Sequence, residues 1–286
     1  MFLARGEMTP GRSETSRFQF GRYMFDYGTM RKEGLYHRLT LLGLIMIGCF
    51  PQSGLATPFE DAVRGTIKLT GSGVAGTGFV IRKGDKHFIG TAAHVFHDFK
   101  GETCEVIYRA RVEGQPSERR STTLAIRKGD QPLWKQHGKH DIAIIEFTLP
   151  EEADCRPFEW DQIAKRDVAE KGVIGVGREV CIPCYPVKTE ANAAGWPILR
   201  RGTIASHPLA PLEVAETFFV DSSSFGGESG APVVAWEGED ALVIGVITSM
   251  QRQTDRTKTP LEERISHMPL GLGIAVQSPL LRSLLE

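Results

Sequence analysis

The stretch Ser224 to Val234, SFGGESGAPVV, sets Ser229 among glycines at 226, 227 and 230 and follows it with a proline and two β-branched residues. Glycine opens backbone turns closed to other side chains and lets the chain approach a ligand closely. A hydroxyl nucleophile flanked by backbone donors needs that freedom, although a plain surface turn is satisfied by the same letters. What separates the two is the rest of the constellation, because a serine nucleophile needs a base to take its proton and a carboxylate to hold that base in the right tautomer. GTAAHVF places His94 just past a strand, behind small residues that let it emerge beside another element. HDIAIIEF places Asp141 at the start of a strand, where a carboxylate can point into a cleft.

The elements that must hold these residues read as short strands separated by turns. GTGFVIRKGDKHFIGTAAHV predicts a hairpin, with Phe79 to Ile81 running out, a turn at 83–85, and His87 to Thr91 returning. STTLAI, DIAIIEF, GVIGVG, EVCIPCYPV, GTIAS, ETFFVD, APVVAW, ALVIGVITSM and LGIAVQ continue the series to SPLLRSLLE, where Ser278 is expected to cap a short helix and Pro279 to occupy its first turn. The polar stretch at 150–171 breaks the pattern and divides the chain into two portions, 57–160 and 161–286. Strand after strand with few helical periods implies barrels or sandwiches.

Composition bounds the partners. The 286 residues are 41% hydrophobic and 24% charged, with a formal net charge of -1, so no global field favours nucleic acid or an anionic membrane surface. Leu39 to Phe50, LTLLGLIMIGCF, is an uncharged run too short to span a bilayer comfortably, since a membrane helix takes about 20 residues. With Arg31, Lys32, His37 and Arg38 before it and PQSGLA after it, it reads as a signal peptide over 30–56 starting at Met30, with 1–29 an over-extended start. The expected destination is secreted or periplasmic, without a stable membrane span in the mature form; a lipoprotein anchored through Cys49 ranks below it. Cys104, Cys155, Cys181 and Cys184 remain, an even number able to pair in an oxidising compartment with three possible connectivities. CIPC at 181–184 lies in a strand where residues three apart point to opposite faces, which argues against a metal or redox site. The histidines of HVFHD and HGKHD, at 97, 137 and 140, read as solvated loop residues, and no metal or cofactor is expected.

The chain order His94, Asp141, Ser229 discriminates among triads, because the same geometry occurs in three different orders on unrelated folds. A Ser, Asp, His order using Ser229, Asp240 or Asp255, and His267 fails on context: residue 231 is Ala and APVVAW reads as a strand, not the helix of a nucleophile elbow. TAAH at 91–94, DIA at 141–143 and GESGAP at 227–232 resemble the three signature blocks of the chymotrypsin-fold, trypsin-like serine proteases, particularly bacterial secreted members. The resemblance covers roughly 66–286. It implies an all-β fold of two six-stranded antiparallel barrels with a short C-terminal helix. It further implies a serine endopeptidase acting on protein or peptide through an acyl-enzyme, with His94 as base, Asp141 as its partner and Ser229 as nucleophile. The N–H groups of Gly227 and Ser229 would form the oxyanion hole. The substrate pocket would be built from Ser223, Thr248, Ser249, Met250, Gly271 and Gly273. The alternative is an inactive homologue acting as a binding module.

Departures from the family pattern qualify the picture. Ala231 replaces the commoner glycine, and Glu228 stands where animal enzymes place the aspartate that pairs with a freed N-terminus. TPFEDAVRG lacks the Ile-Val start used in that activation, so no such zymogen switch is expected. With no acidic residue at 223, an uncharged small or medium side chain is expected in the pocket; His267 lies near the relevant wall, which would suit glutamate, but it reads rather as a lone surface histidine.

Overall fold

The computed structural model describes residues 58–186, 189–222, 226–238, 240–258 and 262–286. The expected signal segment and Ser223 lie outside the described residues. The first half carries β1 (Thr66–Gly71), β2 (Val74–Lys83), β3 (Lys86–Thr91), β4 (Thr103–Val112), β5 (Gln115–Ala125) and β6 (Ala143–Phe147), in the antiparallel order β5-β4-β1-β2-β3-β6. Short segments Lys135–Gln136 and Phe158–Glu159 extend this sheet. Leu124 on β5 and Ile145 and Phe147 on β6, from opposite ends of the strand order, share one buried cluster. The sheet is therefore rolled around its core.

The second half carries β7 (Glu179–Cys184), β8 (Ile198–Ile204), β9 (Thr217–Asp221), β10 (Pro232–Glu237), β11 (Asp240–Lys258) and β12 (Glu263–Gln277). These close into a barrel in the order β7-β8-β9-β12-β11-β10. Helices are short: α1 (Pro58–Arg64), α2 (Ala93–Asp98), α3 (Asp167–Glu170) and α4 (Ser278–Arg282). Among the described residues no helix is long and apolar enough to cross a membrane. The 150–171 stretch crosses between the barrels with a 3-10 turn at Trp160–Gln162 and α3.

Period-two alternation explains how the barrels join. On β6, Ala143, Ile145 and Phe147 face the first core, while Ile144 and its neighbour Ile142 enter a third cluster with Phe79, Ile81, Val234, Val246 and Leu281. On β10, Val233 and Ala235 face the second core and Val234 joins the same third cluster. Strands buried on both faces read as unbroken apolar runs, as IAII at 142–145 and APVVAW do. Each such fully buried side chain contributes about 1.5–3 kcal/mol, so the dry seam sets the barrels, and the cleft above it, in a fixed relation.

One expectation is corrected. The hydroxyl of Ser278 does not cap α4; it donates to the Val243 carbonyl at 2.6 Å, and Gln277 occupies the cap position without a side-chain bond to the helix. The four cysteines are unpaired thiols, all buried. Burial pushes the Cys104, Cys155 and Cys181 thiols up to about 12 and raises Cys184 as well, so all stay protonated and unreactive. The opposite-face expectation for CIPC holds, with Cys181 in the seam between barrels and Cys184 in the second core.

Candidate active site

His94 stands where β3 hands over to α2. Ala92 and Ala93 are fully buried, and Val95 and Phe96 drop into the core, so the short helix is pinned by small and apolar neighbours on both sides of the histidine. Gly76 on β2 completes the seat, since a Cβ there would lie 2.7 Å from the Val95 side chain. Asp141 arrives from the 137–142 loop, which is folded on itself: the amides of Lys139 and His140 donate to the Nδ1 atom of His137 at 3.2 and 3.1 Å, and the Ile142 amide donates to the His140 carbonyl at 2.9 Å.

The carboxylate of Asp141 grips His94 twice. The His94 backbone amide donates to Oδ1 at 2.8 Å and the ring Nδ1 donates to Oδ2 at 2.5 Å. A carboxylate acceptor places the proton on Nδ1 and leaves Nε2 with its lone pair. The hydrogen bond to Asp141 raises the His94 pKa above the ordinary imidazole value, with burial opposing it.

Ser229 comes from the other barrel, on a loop held by its backbone. Gly227 and Gly230 have φ of 93° and 87°, in the left-handed region where glycine is favoured. A Cβ on Gly230 would stand 2.0 Å from the Thr77 carbonyl and 2.1 Å from the Thr91 hydroxyl, both on the opposite barrel. Thr77 ties the loop across the seam: its amide donates to the Ser229 carbonyl at 2.9 Å, its hydroxyl donates to the Gly227 carbonyl at 3.0 Å, and that hydroxyl accepts the Tyr185 amide at 3.0 Å. Beneath the loop, Glu228, 1% exposed, pairs with Arg200 of β8 at 2.8 Å. An internal arginine thus supplies the cation for the carboxylate beside Ser229.

His94 and Ser229 line one cavity of about 400 Å3 together with Gly226, Glu228 and the β11 segment Ile247, Thr248, Ser249, Met250 and Arg252. Among the described residues, neither the Ser229 hydroxyl nor the amides of Gly227 and Ser229 have a hydrogen-bond partner within the protein. This arrangement provides a hydroxyl and a base with its lone pair on Nε2 in one concavity, with two uncommitted N–H donors on the loop that carries the serine.

Of the pocket residues expected from sequence, Thr248, Ser249 and Met250 line the cavity and Gly271 and Gly273 do not. Gly271, at φ 77°, instead turns β12 where the register with β11 breaks between Met250 and Arg252, and its carbonyl accepts the Ser222 amide at 2.9 Å. His267 sits away from the cavity on the exposed part of β12, against the Thr254 hydroxyl at 2.9 Å. Sequence reasoning missed Arg252, Thr77 and Arg200. Their partners are dozens of residues away or absent, and nothing local marks them. It also missed a link beside Asp141, where Lys139 and His140 both meet Glu216 of the second barrel, the latter at 3.1 Å. His97 Nε2 faces Gln136 Oε1 at 2.7 Å.

No curated protein matches the chain. Among solved structures, human heparin binding protein is similar to it at 14% identity and a TM-score of 0.48, over 80% of this chain and 92% of that one. The family model for the trypsin-like peptidase domain matches residues 76–246, a span containing His94, Asp141 and Ser229. With more than half its length matched, the chain belongs to the trypsin-like peptidase family.

Proposed function

We propose that the protein is a serine endopeptidase working through His94, Asp141 and Ser229. The observation that carries this assignment is the shared cavity: a histidine whose Nδ1–H is committed to Asp141 lines the same concavity as a serine flanked by two uncommitted amides. In the reaction, His94 Nε2 takes the Ser229 proton as Oγ attacks the peptide carbonyl, and the amides of Gly227 and Ser229 donate to the oxyanion. The imidazolium, stabilised by Asp141, then protonates the departing amine. Water, deprotonated by the same nitrogen, releases the acyl group and restores the serine. No cofactor enters any step. The basic and apolar pattern of 30–56 supports export, with an extended protein or peptide as substrate.

A second assignment, a homologue that binds without cleaving, draws on the missing hydrogen bond between the Ser229 hydroxyl and His94. Catalytic hydrogen bonds are often long before substrate binds, so turnover decides. The full-length chain is incubated with an unfolded protein and the new termini are read by mass spectrometry. Peptide cleavage lost in Ser229→Ala supports the endopeptidase. Hydrolysis of activated esters alone supports an esterase on the same triad, and neither activity from a folded chain supports the binding module.

A further inference from the structure

Arg252 is the outermost residue of the cavity wall and an unexpected one, since the sequence pointed to an uncharged pocket. β11 lines the cavity from Ile247 to Met250 and then breaks register with β12: Met250 pairs with Gly273, and the next paired residue, Arg252, opposes Pro269. One residue of β11 therefore stands against three of β12. An irregularity of this kind bends a strand and re-aims its side chains, commonly beside active sites. Here it falls where the strand leaves the barrel, and Arg252 is the side chain it delivers to the cavity.

Among the described residues Arg252 makes no ion pair or side-chain hydrogen bond. The carboxylate lining the same cavity, Glu228, is buried and held by Arg200, and Asp141 is held by His94. Beyond the cavity, β11 and β12 continue as an exposed two-stranded ribbon. Alternation along it puts Arg256 and Lys258 on the face of Arg252, while Asp255 lies on the other face, accepting a bond from Gln253 Nε2 at 2.9 Å. On the Arg252 face the facing strand contributes one acid, Glu263, opposite Lys258. The net result is a cationic stripe that begins in the cavity holding Ser229 and runs outward.

From this geometry we infer that the cleft selects peptides bearing an acidic side chain within a few residues of the cleaved bond, with Arg252 as the residue that reads it. The inference rests on the endopeptidase assignment. Arginine presents a planar fork suited to a carboxylate, and a partly exposed pair of this kind changes kcat/KM about three- to tenfold.

The test uses the full-length chain on a mixed peptide library, with an activity-based fluorophosphonate on Ser229 as an independent readout. Each variant's cleavage of acidic peptides is scored against its own cleavage of neutral ones. Wild type is expected to enrich Asp or Glu at one position near the cut by about three- to tenfold at low salt, and less in 1 M salt. Arg252→Lys should keep part of the preference, Arg252→Gln abolish it and Arg252→Glu turn it toward Lys and Arg. Labelling and cleavage with no acidic preference overturn the inference and leave the peptidase standing. An acidic preference that survives in Arg252→Gln overturns the role of Arg252. A folded chain that neither labels nor cleaves overturns the inference together with the assignment beneath it.

Discussion

The two lips of the cleft are built on different principles. The lip from the first barrel is held by side chains: Asp141 grips His94 through two of its own oxygens, and both residues are partly exposed. Among the described residues the lip from the second barrel makes no bond to the Ser229 hydroxyl and is held instead through its backbone and from beneath. Glycines at positive φ shape it, Thr77 ties it to the other barrel, and a buried ion pair underlies it. The base can therefore be damaged without disturbing the fold, whereas damage to the serine loop propagates through the seam between the barrels. Chemistry and stability should come apart at the triad side chains and move together at the residues that hold the serine loop.

Substitutions sharpen that contrast. Ser229→Ala removes only a hydroxyl without a partner and should lower kcat about 10^6-fold with an unchanged melting temperature, read by peptide turnover and calorimetry. On the first lip, Asp141→Asn should cost about 10^4-fold in kcat while the chain stays folded. The pH profile gives a further signature. Neutral His94 is the active form and its pKa is raised mainly by Asp141, so kcat/KM should rise with pH through a value above about 6.5; Asp141→Asn should move that limb to lower pH. The stability contributed by the pair has the opposite sign, being present when His94 is protonated and lost as pH rises through the folded pKa.

On the second lip, Arg200→Ala leaves Glu228 buried without its cation and should destabilise the protein by about 3 kcal/mol, with activity falling in parallel in a denaturant titration. Gly230→Ala belongs to the same class, because its Cβ would collide with backbone of the first barrel. Thr77→Val strands the Tyr185 amide at about 1–3 kcal/mol and should slow Ser229 labelling as well. Glu216→Gln, at the exposed link beside Asp141, should change kcat/KM by only about twofold. If Arg200→Ala lowered activity without lowering stability, the contrast between the lips would be wrong.

The same difference governs what could be read from the letters. The first lip was legible because TAAH and DIA are local patterns: small residues before a histidine, and an acid ahead of a strand whose alternation is plain. The glycines around Ser229 were legible as a need for freedom, but the reason for Gly230, the close approach of Thr77 and Thr91, is a contact between barrels that no local window contains. Arg200 was invisible because it lies in one strand and Glu228 in the loop before another. Of the residues expected at the pocket, Thr248 to Met250 line the cavity and Gly271 and Gly273 do not, and the register breaks of β11 against β12 on either side of Ser249 and Met250 lie outside what alternation alone can read. Ser278 was misplaced as a cap by one residue because its hydroxyl found a buried carbonyl instead.

The central claim is that His94 and Asp141 activate Ser229, and labelling of the full-length chain with a fluorophosphonate probe tests it most directly. The account predicts one adduct per chain, mapped to Ser229 by mass spectrometry, absent in Ser229→Ala and His94→Ala, and slowed in Asp141→Asn. No adduct on a folded chain, an adduct on another residue, or labelling that persists in His94→Ala would contradict it.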